Sequence, residues 1–124
     1  MFCFLAERET TTISEIAPTF PRLMTNQKVE EGENVCFEVS IKSHPQATVT
    51  WKKDGELFEN SPRREMEWKD ASSYYFMIHE ARVNDKGKYE VTATNAAGSC
   101  SCSAMLNVLP YIYSQKPKYV LLNI

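Results

Sequence analysis

The sequence predicts an all-β antiparallel sandwich or barrel, and three observations carry that expectation. Apolar residues recur with a period of two along short segments between Ala17 and Leu109. About seven such segments follow one another at regular spacing, each bounded by turn-forming residues. No segment shows a convincing helical stripe, and there is neither an internal repeat nor a low-complexity tract.

The segments follow in order. Ala17-Pro18-Thr19-Phe20-Pro21 opens the compact region as an edge strand, because its prolines cannot donate to a central ladder. Val35, Phe37, Val39 and Ile41 alternate with Cys36, Glu38, Ser40 and Lys42, so one face is buried. A turn containing Pro45 leads to Val49 and Trp51, and Asp54-Gly55 then forms a hairpin turn. Met66 and Trp68 precede the turn-rich Asp70-Ala71-Ser72-Ser73, after which Tyr74, Phe76 and Ile78 share a face. Tyr89, Val91 and Ala93 alternate, Asn95-Ala96-Ala97-Gly98 turns, and Cys102, Ala104, Leu106 and Val108 complete the series. Leu109-Pro110 closes it.

The chain has 124 residues, which suits one domain with short tails. The expected division is an N-terminal extension at 1–16, the domain at 17–109 and a C-terminal tail or start of a following segment at 110–124. With 14 Lys and Arg against 16 Asp and Glu, the net charge of −2 gives no general field for nucleic acid. No apolar run approaches the roughly 18 residues that span a bilayer. Met1-Phe2-Cys3-Phe4-Leu5-Ala6 breaks at once into Glu7-Arg8-Glu9, which is not a convincing secretory signal.

Several short motifs, in their joint order and spacing, resemble an immunoglobulin domain of the intermediate set, the type repeated in giant muscle proteins of the titin and twitchin kind. The likeness covers roughly residues 17–109. Trp51 takes the place of the family's buried tryptophan, Pro45 that of the proline before it, and Val39 that of the first core cysteine. Phe76-Met77-Ile78 runs into Asp85-Lys86-Gly87-Lys88-Tyr89-Glu90-Val91, similar to the family's Asp-x-Gly-x-Tyr-x-Cys, and Ala93-Thr94-Asn95-Ala96-Ala97-Gly98 resembles its Ala-x-Asn-x-x-Gly hairpin. The resemblance implies an immunoglobulin-like sandwich of two packed sheets in Greek-key order. It implies a fold-signature core of Val39, Trp51, Tyr89 and Val91, and turn-signature residues Asp85, Gly87, Asn95 and Gly98. Tyr89 resembles the tyrosine-corner residue, whose hydroxyl bonds the backbone. Both positions of the family's inter-sheet disulfide are valine, so no bridge is expected there. Each buried valine offers on the order of 1.5–3 kcal/mol, comparable with the about 2–4 kcal/mol of a disulfide.

The cysteines lie elsewhere. Cys36 has outward parity in its strand, Cys100 and Cys102 share the inward parity of the last strand, and Cys3 is in the extension. Free thiols in a reducing cytosol are expected. Cys100-x-Cys102 as a metal pair lacks companions nearby in sequence, and a bridge through Cys36 would depend on strand geometry. No Asn-x-Ser/Thr sequon with a permitted middle residue occurs.

Catalysis has little material. His44 and His79 are the only histidines and read as surface residues. Phosphate loops, Gly-x-Ser-x-Gly and His-Glu-x-x-His are missing from the sequence. Glu30-Glu31 reads as solvated edge charge. Arg63-Arg64 with Lys69, and Arg82 with Lys86 and Lys88, read as charges that guard sheet edges. Trp68-Lys69 and Tyr75 alone offer the basic and aromatic interleaving of a nucleic-acid face. The expectation is therefore no enzyme, no cofactor, no metal, no small-molecule substrate, no nucleic acid and no membrane.

What the resemblance implies for function is a structural or scaffold module of an intracellular, cytoplasmic muscle protein. Its partners would be other proteins, neighbouring immunoglobulin or fibronectin-like domains or sarcomeric and cytoskeletal components. By family analogy, Gln27-Lys28-Val29-Glu30 and the last strand around Leu106 would form the load-bearing pair. An extracellular adhesion or receptor domain is the alternative, and a module flanking a muscle-type kinase or an actin-binding scaffold is a further one. In the tail, Tyr111-Ile112-Tyr113 and Tyr119-Val120-Leu121-Leu122 could add as a strand to a neighbour's edge or belong to a following segment.

Overall fold

Period-two alternation decides which side of each strand is dry, and the dry sides meet between two sheets. The computed structural model describes residues 14–111. Cys3, most of the N-terminal extension and the apolar stretch at Tyr119 to Leu122 lie outside them. Nine strands are described: β1 (Ile16–Arg22), β2 (Gln27–Glu30), β3 (Val35–His44), β4 (Thr48–Lys53), β5 (Glu56–Leu57), β6 (Arg64–Trp68), β7 (Ser73–Ile78), β8 (Gly87–Asn95) and β9 (Gly98–Leu109). One sheet has the order β1-β3-β7-β6 and the other β2-β9-β8-β4-β5. The chain changes sheet after β1, β2, β3, β5 and β7, which gives the expected Greek-key immunoglobulin-like sandwich.

The strand count exceeds the sequence expectation of about seven. The leading segment breaks at Leu23-Met24-Thr25-Asn26, leaving β1, with both its prolines, on the edge of one sheet and β2 in the other. The two-residue β5 has no alternation to announce it and exists because the Asp54-Gly55 turn folds it back onto β4. Asp54 (φ 51°) and Gly55 (φ 89°) both take positive φ, as a type I′ turn requires.

In β3, Val35, Phe37, Val39 and Ile41 are buried. In β8 and β9 the buried set is Tyr89, Val91, Ala93, Ala104, Leu106 and Val108. An aromatic cluster fills the centre. Phe76 lies 5.1 Å from Trp51, 5.0 Å from Phe58 and 5.4 Å from Tyr89 between ring centroids, within the range of favourable aromatic packing. Trp68 joins its edge, T-shaped against Tyr74 at 5.2 Å.

Candidate functional site

Val39, Trp51, Tyr89 and Val91 are all within the core, with Val39, Tyr89 and Val91 fully inaccessible. The register aligns Trp51 with Val91 across β4 and β8, so the tryptophan and the second valine face the gap from neighbouring strands. The Tyr89 hydroxyl donates to the Asp85 carbonyl, four residues back. That bond ties β8 to the 3-10 turn Val83–Asp85.

Asp85 does more than shape a turn. Its carboxylate is 2% exposed and faces Arg63 Nη1 at 2.9 Å and Nη2 at 3.2 Å, while Arg64 Nη2 stands at 3.4 Å. The Arg82 N–H donates to it at 2.8 Å. Burial alone would push this carboxyl up; the Arg63 hydrogen bond, the Arg82 N–H, the Arg63 charge and Arg64 together outweigh burial and hold it below its usual range. Arg63 also donates to the carbonyls of His79 and Glu80 at 3.3 and 3.2 Å. Arg63 and Arg64 thus fasten the start of β6 to the turn before β8. Nothing local in the sequence separates such arginines from edge-guarding ones, because the partner lies 22 residues away.

Asn95 joins three segments. Its Nδ2 donates to Ile16 O at 2.8 Å and Pro45 O at 3.0 Å, and its Oδ1 accepts the Ala97 N–H at 2.9 Å. Gly98, at φ 155°, brings the hairpin to within 3.3 Å of the Ala17 methyl, measured from where a Cβ would stand. At Gly87 (φ 152°) a Cβ would fall 2.6 Å from the Asp54 carboxylate. That carboxylate accepts the Lys88 N–H at 2.9 Å, so Gly87 lets two loops meet.

The second strand and the last run side by side. β2 pairs with β9 in parallel, with Gln27 opposite Leu106 and Glu30 opposite Leu109. Glu31 extends the ladder, its N–H donating to Leu109 O at 2.8 Å. By strand alternation, Val29 and Gln27 then turn their amides toward β9 while Lys28 turns its amide away. β9 is paired with β8 from Gly98 opposite Asn95 to Leu106 opposite Gly87. On its other side β9 pairs with β2 only from Leu106 onward.

That leaves a sheet edge at Ser99–Ser103. Three other edges carry devices against pairing. β1 contains Pro18 and Pro21, β5 has two residues, and Asn60 Oδ1 accepts the Met66 N–H of β6 at 2.8 Å.

Cys36 is exposed, Cys100 and Cys102 are half-buried, and all three are free thiols. Burial, then the Glu38 charge, pushes Cys36 up; burial also raises Cys100 and Cys102. Among the described residues no three His, Cys, Asp or Glu side chains gather into a set that could hold a metal ion. His79 Nε2 lies 3.0 Å from Glu65 on the outer face. A cleft of about 440 Å³ opens beside β4 and β5, walled by Val49, Trp51, Leu57, Phe58, Met66 and Tyr74. Its lining is chiefly the apolar flank of the core.

Comparison with known proteins agrees with this architecture. Residues 18–108 match the model of the immunoglobulin I-set domain. Titin of Drosophila melanogaster is 36% identical over 104 residues, and the muscle M-line assembly protein unc-89 of Caenorhabditis elegans is 34% identical over 105. Each alignment covers 84% of this chain but 1% of the relative, so the chain spans a very small part of these proteins. The crystal structure of the titin M3 domain superposes with a TM-score of 0.73 at 39% identity, covering 76% of this chain and 98% of that one. Titin domains Z1Z2, solved in complex with telethonin, give a TM-score of 0.74 at 27% identity, covering 78% and 49%.

Proposed function

The chain belongs to the immunoglobulin I-set family, and from that premise we propose that it is a non-catalytic module of an intracellular, titin-like muscle protein that links and binds other proteins. The observation that carries the mechanical half is the parallel β2–β9 pair. β2 lies near the start of the sandwich and β9 at its end. A pull between the two ends loads the ladder along its length, so its hydrogen bonds must yield together rather than one by one. The folding unit is taken as 17–109, with 1–16 and 110–124 as appendages.

The binding half is supported by the free edge of β9 and by the telethonin complex of a similar pair of titin domains. An extended partner segment adding to Ser99–Ser103 would gain main-chain bonds without rearranging the core. Partners of this class are sarcomeric or cytoskeletal proteins and neighbouring domains. An extracellular adhesion role is less well supported, since valines stand where secreted relatives of this fold carry their bridge.

Single-molecule pulling tests the mechanical reading. Val29→Pro removes an amide directed at β9, whereas Lys28→Pro removes one directed away. Val29→Pro should lower the unfolding force markedly more than Lys28→Pro. Equal effects of the two, or a wild-type domain that yields no harder than when pulled so that β-strands peel apart, would refute it. Antibody staining of the full-length parent in muscle tests location: a sarcomeric stripe supports the reading and surface labelling of unpermeabilised cells removes it.

A further inference from the structure

The turn between β2 and β3 holds the departing chain beyond the end of the ladder. The Glu31 N–H donates to Leu109 O. Pro110 follows and has no N–H to offer. The next donor is Tyr111, whose N–H goes to Glu31 Oε1 at 3.1 Å. One residue therefore grips the chain on both sides of the proline, by main chain before it and by carboxylate after it.

Glu31 is itself well anchored. The Glu30 N–H donates to Glu33 Oε1 at 2.8 Å, and the Glu33 N–H to Glu30 O at 3.1 Å. Gly32, at φ 97°, gives its N–H to Ala81 O at 2.8 Å, and Ala81 returns its own to Glu33 O at 2.8 Å. The turn is thus pinned to the loop after β7, next to the fully buried Ile78. Glu31 is half-buried, and an ionised carboxylate accepting an amide makes a stronger bond than a neutral acceptor would.

We propose that Glu31 is an exit clamp: it fixes the direction in which the chain leaves the sandwich at Leu109–Tyr111. Proline restricts one backbone angle and the carboxylate bond restrains what remains. Whatever the chain joins next is presented at a set angle instead of swinging from the end of β9. The device works whether or not the module bears force.

Amide hydrogen exchange and ¹⁵N relaxation on the full 124-residue chain test it. In the wild type the Tyr111 amide should exchange more slowly than an unstructured chain. Glu31→Ala should accelerate Tyr111 exchange by about fivefold or more, the equivalent of one net hydrogen bond, with Val108 and Leu109 unchanged. Glu31→Gln, which keeps an acceptor oxygen in place, should stay within about twofold of wild type, since a neutral acceptor loses only part of the bond. An unprotected Tyr111 in the wild type overturns the proposal. So does Glu31→Ala without effect at Tyr111, general loosening of β9 in that variant, or Glu31→Gln as disruptive as Glu31→Ala.

Discussion

Arg63 and Asp85 meet as a two-bond fork, at 2.9 and 3.2 Å, across 22 residues of sequence. The carboxylate is nearly inaccessible while the arginine keeps a quarter of its side chain in water. The pair connects the start of β6 in one sheet to the turn that feeds β8 in the other.

Removing the arginine leaves a buried carboxylate with one longer cationic contact, from Arg64. Arg63→Ala should destabilise the domain by about 2–4 kcal/mol, measured by urea unfolding. Arg63→Lys should recover only part, because an ammonium cannot reproduce the fork. A loss below about 0.5 kcal/mol would place the pair among ordinary surface bridges.

The pH dependence follows from the same carboxylate. Its folded pKa is depressed, so the unfolded chain binds the proton more readily and stability rises with pH through this range. The contribution is fully present above the ordinary Asp value of about 3.9 and is lost as pH falls from there through the folded pKa. The exposed Asp54 and Asp70, depressed chiefly by the Lys88 and Ser72 amides respectively, act in the same direction. Thermal melts from pH 7 to 2.5 should show Tm falling below about pH 4. Asp85→Asn should give a flatter profile; an unchanged slope would remove Asp85 from the account.

Tyr89→Phe isolates the bond to the Asp85 carbonyl, since the ring and its packing on Phe76 remain. A buried carbonyl stripped of its donor should cost about 1–2 kcal/mol. Denaturant midpoints with an unchanged m-value would measure it cleanly.

Thiol chemistry supplies a fourth test. Titration of the denatured, unreduced protein should find all four cysteines free. In the native state, peptide mapping after brief alkylation should show Cys36 labelled ahead of Cys102, following their exposure. Labelling in the reverse order would contradict the strand parity that turns Cys102 inward.

Sequence and structure agree where a local pattern carries the information. Alternation in Val35 to Ile41 and Cys102 to Val108 specifies which face is dry, and Asp54-Gly55 specifies its own turn because only two positive φ angles close it. The position of Trp51 relative to Val39 and Val91 was legible through the family pattern. What escaped were relations between distant residues. Asn95 could be placed in a hairpin, but not its bonds to Ile16 and Pro45, which arise only once three segments converge. Arg63 looked like any edge charge, since its partner is fixed by the packing of two sheets. β5 is too short to have a period, and Glu31 read as solvated charge because the chain's return past Leu109 is invisible from the sequence around it.

The guarded edges bear on crowding by like neighbours. Where similar modules are strung on one chain, each meets the next at a millimolar-range effective concentration, about that set by a short linker. At such concentrations an unpaired strand is an invitation to domain swapping and misassembly during refolding. Proline in β1, the brevity of β5 and the Asn60 cap on β6 withdraw that invitation from three borders. A module so bordered can unfold and refold among its own kind while the border beside Ser101 stays available for recognition.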